Sequence, residues 1–201
     1  MKNRLQFKTL IARFVILLLL VALTACSKTV QWEEEVPLNT GDVIWIKRTV
    51  TYKFDVTHDN PFVPSYVPRG QETRVFTWRG KQYSHTGSGS LELLAISPVT
   101  NEPVLVAFAV NVGWDTQHNY QCTDSFYVQF SPDATGSKWD WPPKIEPWLY
   151  GLPHNLMRHR PDWKRDTFRE KYSHLEISRI EGWASGSNFV KPKTLSKSCS
   201  D

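Results

Sequence analysis

Ile44-Trp45-Ile46-Lys47-Arg48-Thr49-Val50-Thr51-Tyr52-Lys53-Phe54-Asp55-Val56 repeats with period two. Its even positions are apolar apart from Arg48, and the odd positions from Lys47 onward are Lys47, Thr49, Thr51, Lys53 and Asp55. Side chains of a strand alternate between its faces, so the pattern predicts a strand with one buried and one wet face. Arg48 is the exception, a cation on the side expected to be apolar.

Downstream, a loop rich in Pro61, Pro64, Pro68 and Gly70 is too poor in donors to be a central strand. Strands are expected from Thr73 to Trp78 and from Lys81 to His85, joined by Arg79-Gly80 as a tight hairpin turn. The segment Gly87-Ser88-Gly89-Ser90 reads as a turn, since a nucleophile elbow requires Gly-x-Ser-x-Gly between strand and helix. Apolar runs from Leu91 to Ile96 and from Val104 to Val112 flank the turn from Ser97 to Pro103, as in a buried hairpin. From Cys122 to Phe130 alternation returns, with Phe126, Val128 and Phe130 sharing a face. This many short strands with regular turns predicts a mainly β fold, an antiparallel sandwich or barrel-like domain.

Beyond Ser131 the chain is dense in aromatics and prolines. Pro153 is placed to open a short helix, and Phe168, Tyr172 and Leu175 fall at helical spacing, with Asp162–Arg165 and Asp166–Arg169 as i, i+3 pairs. A short C-terminal helical segment is therefore expected from Asp162, then a last strand from Leu175 to Trp183 and an exposed tail from Asn188.

The N-terminal end has a different organisation. Lys2, Arg4, Lys8 and Arg13 precede or open an apolar run from Phe14 to Leu23, which is too short to span a membrane and has the pattern of a secretory signal. Leu23-Thr24-Ala25-Cys26 resembles the lipobox of bacterial lipoproteins. The resemblance implies removal of residues 1–25 and acylation of Cys26, with palmitate-type chains holding the protein to the membrane. The position after the Cys, where Asp would imply retention in the inner membrane, is Ser27, which in a Gram-negative host implies the outer membrane; its periplasmic face is the expected location. The competing readings are a plain secreted protein with an ordinary Cys26 thiol and an uncleaved anchor. Residues 26–41, with Trp32, the acidic run Glu33-Glu34-Glu35 and Pro37, read as the lipidated N-terminus and a solvated tether; residues 42–201 read as a single β-rich domain.

Processing changes the charge. Of the 24 basic residues four precede Cys26, leaving 20 against 20 acidic ones, so the formal charge of +4 belongs to the leader and gives no support for a nucleic-acid partner. With Cys26 acylated, Cys122 and Cys199 remain as an even pair in an oxidising compartment. A disulfide between them would stabilise by roughly 4 kcal/mol in the chain-entropy model; two free thiols are the alternative.

The runs from Trp32 to Gly41 and from Trp141-Pro142-Pro143 to Asn155-Leu156 resemble those of uncharacterised proteobacterial lipoproteins. That resemblance brings no activity, ligand or catalytic residue. Trp139, Trp141, Trp148 and Tyr150 form the candidate binding surface, since Trp139 and Trp141 project to one side of an extended backbone and indoles stack on sugar rings; packing over prolines is the alternative use of the same rings. His154 and His159, five apart, lack the i, i+4 spacing of zinc-protease pairs, so no metal, cofactor or catalytic residue is assigned. Basic residues from Arg158 to Lys171 are diluted by Asp162, Asp166 and Glu170, as on a solvated surface. The expectation is a lipid-anchored envelope protein acting by binding, with the membrane and an envelope protein as partners. A glycan- or peptidoglycan-binding module is the second reading, and a hydrolase with dispersed residues the third.

Overall fold

The computed structural model describes residues 27–55, 65–68, 71–87, 91–108, 127–140, 145–183 and 190. The alternating stretch is strand β2 (Val43–Asp55), preceded by β1 (Ser27–Pro37) and followed by β3 (Ser65–Pro68), β4 (Glu72–Trp78) and β5 (Lys81–Gly87). Then come β6 (Leu91–Ile96), β7 (Pro103–Phe108), β8 (Tyr127–Pro132), β9 (Trp139–Asp140), β10 (Lys171–Tyr172) and one short helix, α1 (His174–Glu181).

Two compact units share these elements: residues 27–30, 50–55 and 65–68 belong to the first, and 31–49 with 71 onward to the second. In the first unit β3 pairs antiparallel with the end of β2, from Tyr52 opposite Pro68 to Asp55 opposite Ser65. Val30, Val50 and Tyr52 are buried there.

In the second unit one sheet runs β10-β1-β2-β4-β5 and the other β6-β7-β8-β9. All the registered pairs are antiparallel except β1 with β10, which is parallel at Glu33–Lys171 and Glu34–Tyr172. The β4–β5 hairpin turns on Arg79 and Gly80, both at positive φ (48° and 79°), as the twist-matched two-residue turn requires. The fold is thus mainly β, a sandwich of two sheets, and neither closes into a barrel among the described residues.

One apolar core lies between the sheets, where Val36, Ile46, Phe76 and Tyr83 meet Leu94, Ile96 and Leu105. A second lies on the far side of β6 and β7, where Leu93, Ala95, Val104 and Val106 pack against Ile145, Leu149 and Val190. Strand β6 is therefore buried on both faces, which explains why it reads as an apolar run broken only by Glu92. A bulge between Leu91 and Leu93 changes its parity: Leu91 and Leu94 share the inter-sheet core although they are an odd number apart. The extra residue is Glu92.

Among the described residues, the outer edge of β6 is closed by side chains instead of a further strand. Asn39 accepts from Ile96 N and donates to Ile96 O (2.7 and 2.9 Å). Asn155 accepts from Leu94 N and donates to Leu94 O (2.8 and 2.7 Å), and donates also to Pro37 O at the end of β1 (2.7 Å). The backbone N–H groups of Asn155 and Leu156 reach Glu92 O. An exposed edge invites pairing with other chains, and here amides occupy it.

Several expectations are corrected. Residues 27–37 are not a solvated tether but a strand, with Trp32, Glu34 and Val36 buried, because the even positions of this acidic stretch face the interior. No helix starts at Asp162; turns occupy that region, and Tyr172 is taken into β10. The segment from Leu175 is helix and not strand, since Ser173 and Glu176 form a capping box and Gly182 closes the end at φ 68°. Pro153 opens no helix; Pro147 starts a 3-10 turn, Pro147–Leu149. Val190, in the tail expected to be exposed, is buried in the second core, where its backbone bonds Gly151 N and Leu152 O.

Asn155→Ala removes three hydrogen bonds that join β1 to β6, and each buried group left unpaired costs about 1–3 kcal/mol. The expected result is a loss of at least about 3 kcal/mol in urea unfolding, with increased self-association as the β6 edge opens.

Candidate functional site

The register that pairs β2 with β4 sets Arg48 directly opposite Arg74, and the β4–β5 register sets Arg74 opposite His85. Like charges facing each other across a sheet repel, so this row requires anions between them. Glu72 supplies one, bonding Arg48 Nε, Arg74 Nη2 (3.1 Å) and Arg160 Nε (3.1 Å). Glu34 supplies the other, taking Arg48 Nη1 on both oxygens (3.0 and 3.2 Å). Arg48 Nη1 also donates to Met157 O (2.6 Å), and its guanidinium lies 5.0 Å from the Trp32 ring. The cation that broke the alternation of β2 is thus the centre of a buried network.

Burial determines the electrostatics of this network. It raises the Glu34 carboxyl, with Arg48 opposing. For Glu72 burial acts upward too, but Arg48 and Arg74 outweigh it and hold the group below its ordinary range. Burial and the neighbouring Arg48 lower Arg74 to about 10, and burial with Arg74 nearby lowers His85 to about 4. His85 is therefore neutral near pH 7. Its ring packs edge-on against Phe130 and Trp139, and its Nδ1 has no hydrogen-bond partner among the described residues.

A second polar cluster surrounds the bulge residue. The Glu92 carboxyl, raised by burial, lies 3.3 Å from His154 Nδ1 and 3.6 Å from Arg158 Nη1. Glu181, at the end of α1, accepts from Arg158 N, Arg158 Nε and His159 N (2.9, 3.1 and 2.8 Å) and lies 2.9 Å from His159 Nδ1. Residues 154–160 thus form a strap. It reaches four buried carboxylates from four elements: Glu34 through Met157 N, Glu72 through Arg160, Glu92 through His154 and Arg158, and Glu181 through Arg158 and His159. Each of the four carboxylates is thus engaged by internal donors. No group of three or more His, Cys, Asp or Glu side chains is arranged to hold a metal among the described residues.

Of the candidate binding aromatics, Trp139, Trp148 and Tyr150 are among the described residues, and they pack against two different cores. Trp139 packs on the inter-sheet core beside Phe76 and Tyr83 and donates to Ser84 O (2.8 Å). Trp148 and Tyr150 pack against the second core, and Trp148 Nε1 donates to the Glu146 carboxylate. Cys26, Cys122, Cys199 and Trp141 lie outside the described residues. Sequence reading missed Glu34 and Glu72 as network members. The available signal was parity, since Glu34 alternates with Trp32 and Val36, and Glu72 with Arg74 and Phe76.

No family model, curated protein or solved structure matches the chain.

Two outcomes are expected of this network. Arg48→Met leaves Glu34 buried without its cation and should cost about 3–5 kcal/mol, measured by urea denaturation at neutral pH. The second concerns pH. In the unfolded chain His85 takes a proton near 6.5, whereas the fold keeps it neutral to about 4, so stability is lost as pH falls through that window. His85→Gln should therefore show a shallower decline of unfolding midpoint between those pH values than the wild type.

Proposed function

We propose that the protein is a lipid-anchored binding component of the bacterial cell envelope, held to the periplasmic face of the outer membrane through Cys26 and acting as an adaptor or structural subunit for an envelope protein partner. The observation that carries this reading is Leu23-Thr24-Ala25-Cys26 at the end of a basic-then-apolar leader. The engagement of Glu34, Glu72, Glu92 and Glu181 by internal donors favours binding over acid–base catalysis as the role of the domain.

Wild-type protein made in a Gram-negative host should take up a palmitate label and partition with membranes, and Cys26→Ala should lose both. Membrane association of Cys26→Ala, together with an unlabelled wild type, would sink the lipoprotein reading. Crosslinking in intact cells tests the adaptor role: specific protein adducts are expected, and muropeptide adducts in their place would make the domain a glycan-binding module.

A further inference from the structure

Trp45 stands on the wet face of β2 and is 44 % exposed. Lys171 Nζ sits 5.3 Å from its ring centroid and 2.8 Å from Glu33 Oε2. On the same face of β2, Val43 is exposed, and so is Lys47, which makes no hydrogen bond or ion pair among the described residues. Helix α1 starts beside this face, since His174 N donates to the Glu35 carboxylate (3.0 Å), and its next residue, Leu175, is 60 % exposed. The acids nearby are engaged: Glu33 with Lys171, Glu35 with the His174 N–H, and Glu176 with Ser173 and Arg169. Lys47 is left as a cation facing outward beside apolar groups.

We propose that this face, centred on Trp45, lies against the anionic headgroup layer of the membrane that holds the anchor; the proposal rests on the lipoprotein reading. Glu33, which holds Lys171 against Trp45, lies seven residues beyond Cys26, at most about 25 Å of chain. A domain tethered so briefly presents some face to the bilayer. The second sheet has Ile145, Leu149 and Val190 packed over its side away from the core, while Trp45, Val43 and Leu175 stay open to solvent. An indole flanked by ammonium groups suits the boundary between acyl chains and phosphates, where the ring finds apolar contact and lysine finds anions.

The test uses the full chain, processed in cells, purified and placed in protein-free vesicles of phosphatidylethanolamine and phosphatidylglycerol. Lysine acetylation is read by mass spectrometry, with the exposed Lys138 as internal reference. Expected is loss of labelling at Lys47 on vesicles relative to detergent, with Lys138 unchanged, and recovery of Lys47 labelling in Trp45→Glu while that variant stays vesicle-bound. Equal labelling of Lys47 and Lys138 on vesicles overturns the proposal. Protection of Lys47 in intact envelopes but not on vesicles also overturns it and assigns the face to a protein. Intact mass of the same sample separates the two levels: an acylated Cys26 with an unprotected Lys47 rejects the face alone, and a chain without acyl mass rejects the lipoprotein reading beneath it.

Discussion

Four buried carboxylates, Glu34, Glu72, Glu92 and Glu181, hold one strap, residues 154–160, against both sheets and the helix. An ionised carboxylate away from water costs several kcal/mol unless it is paired and hydrogen-bonded. Here each one is, and the donors come from the strap together with Arg48 and Arg74. The strap has no regular structure of its own, so these bonds and the burial of Leu156 and Met157 give it its conformation.

Such a network adds little net stability over an apolar core of equal volume, but it restricts alternatives. A one-residue slip of β2 would turn Arg48 to solvent and leave Glu34 and Glu72 buried without it. Asn39 and Asn155 act similarly on β6, supplying amides where a sheet edge would otherwise offer free backbone groups. Specific polar partners therefore define the register of β2 and the edge of the second sheet, while the two apolar cores supply the drive to collapse.

Much of the sandwich was legible in local pattern. The alternation of β2, the Arg79-Gly80 turn and the β6–β7 hairpin each depend on neighbouring residues and on backbone preference. Strand β1 was not legible in the same way: three consecutive glutamates look solvated until a cation is brought to the middle one. That cation is 14 residues away in β2, and its carbonyl partner in the strap is 109 residues from it. The C-terminal region misled for a related reason. Phe168, Tyr172 and Leu175 have helical spacing, yet β1 recruits Tyr172 into a parallel pair and the helix starts only at the Ser173 cap.

The sequence by itself determined the β class of the fold, the Arg79-Gly80 turn and the strands whose faces differ in polarity. These are properties of a residue and its near neighbours, and side-chain alternation or turn chemistry expresses them directly. Tertiary structure alone decided that an acidic run would be an interior strand, that Arg48 and Arg74 would face each other with Glu72 between them, and that Glu92 would be the extra residue of a bulge. Each of these requires groups distant in sequence to be buried together, where an unpaired charge is far more costly than in water.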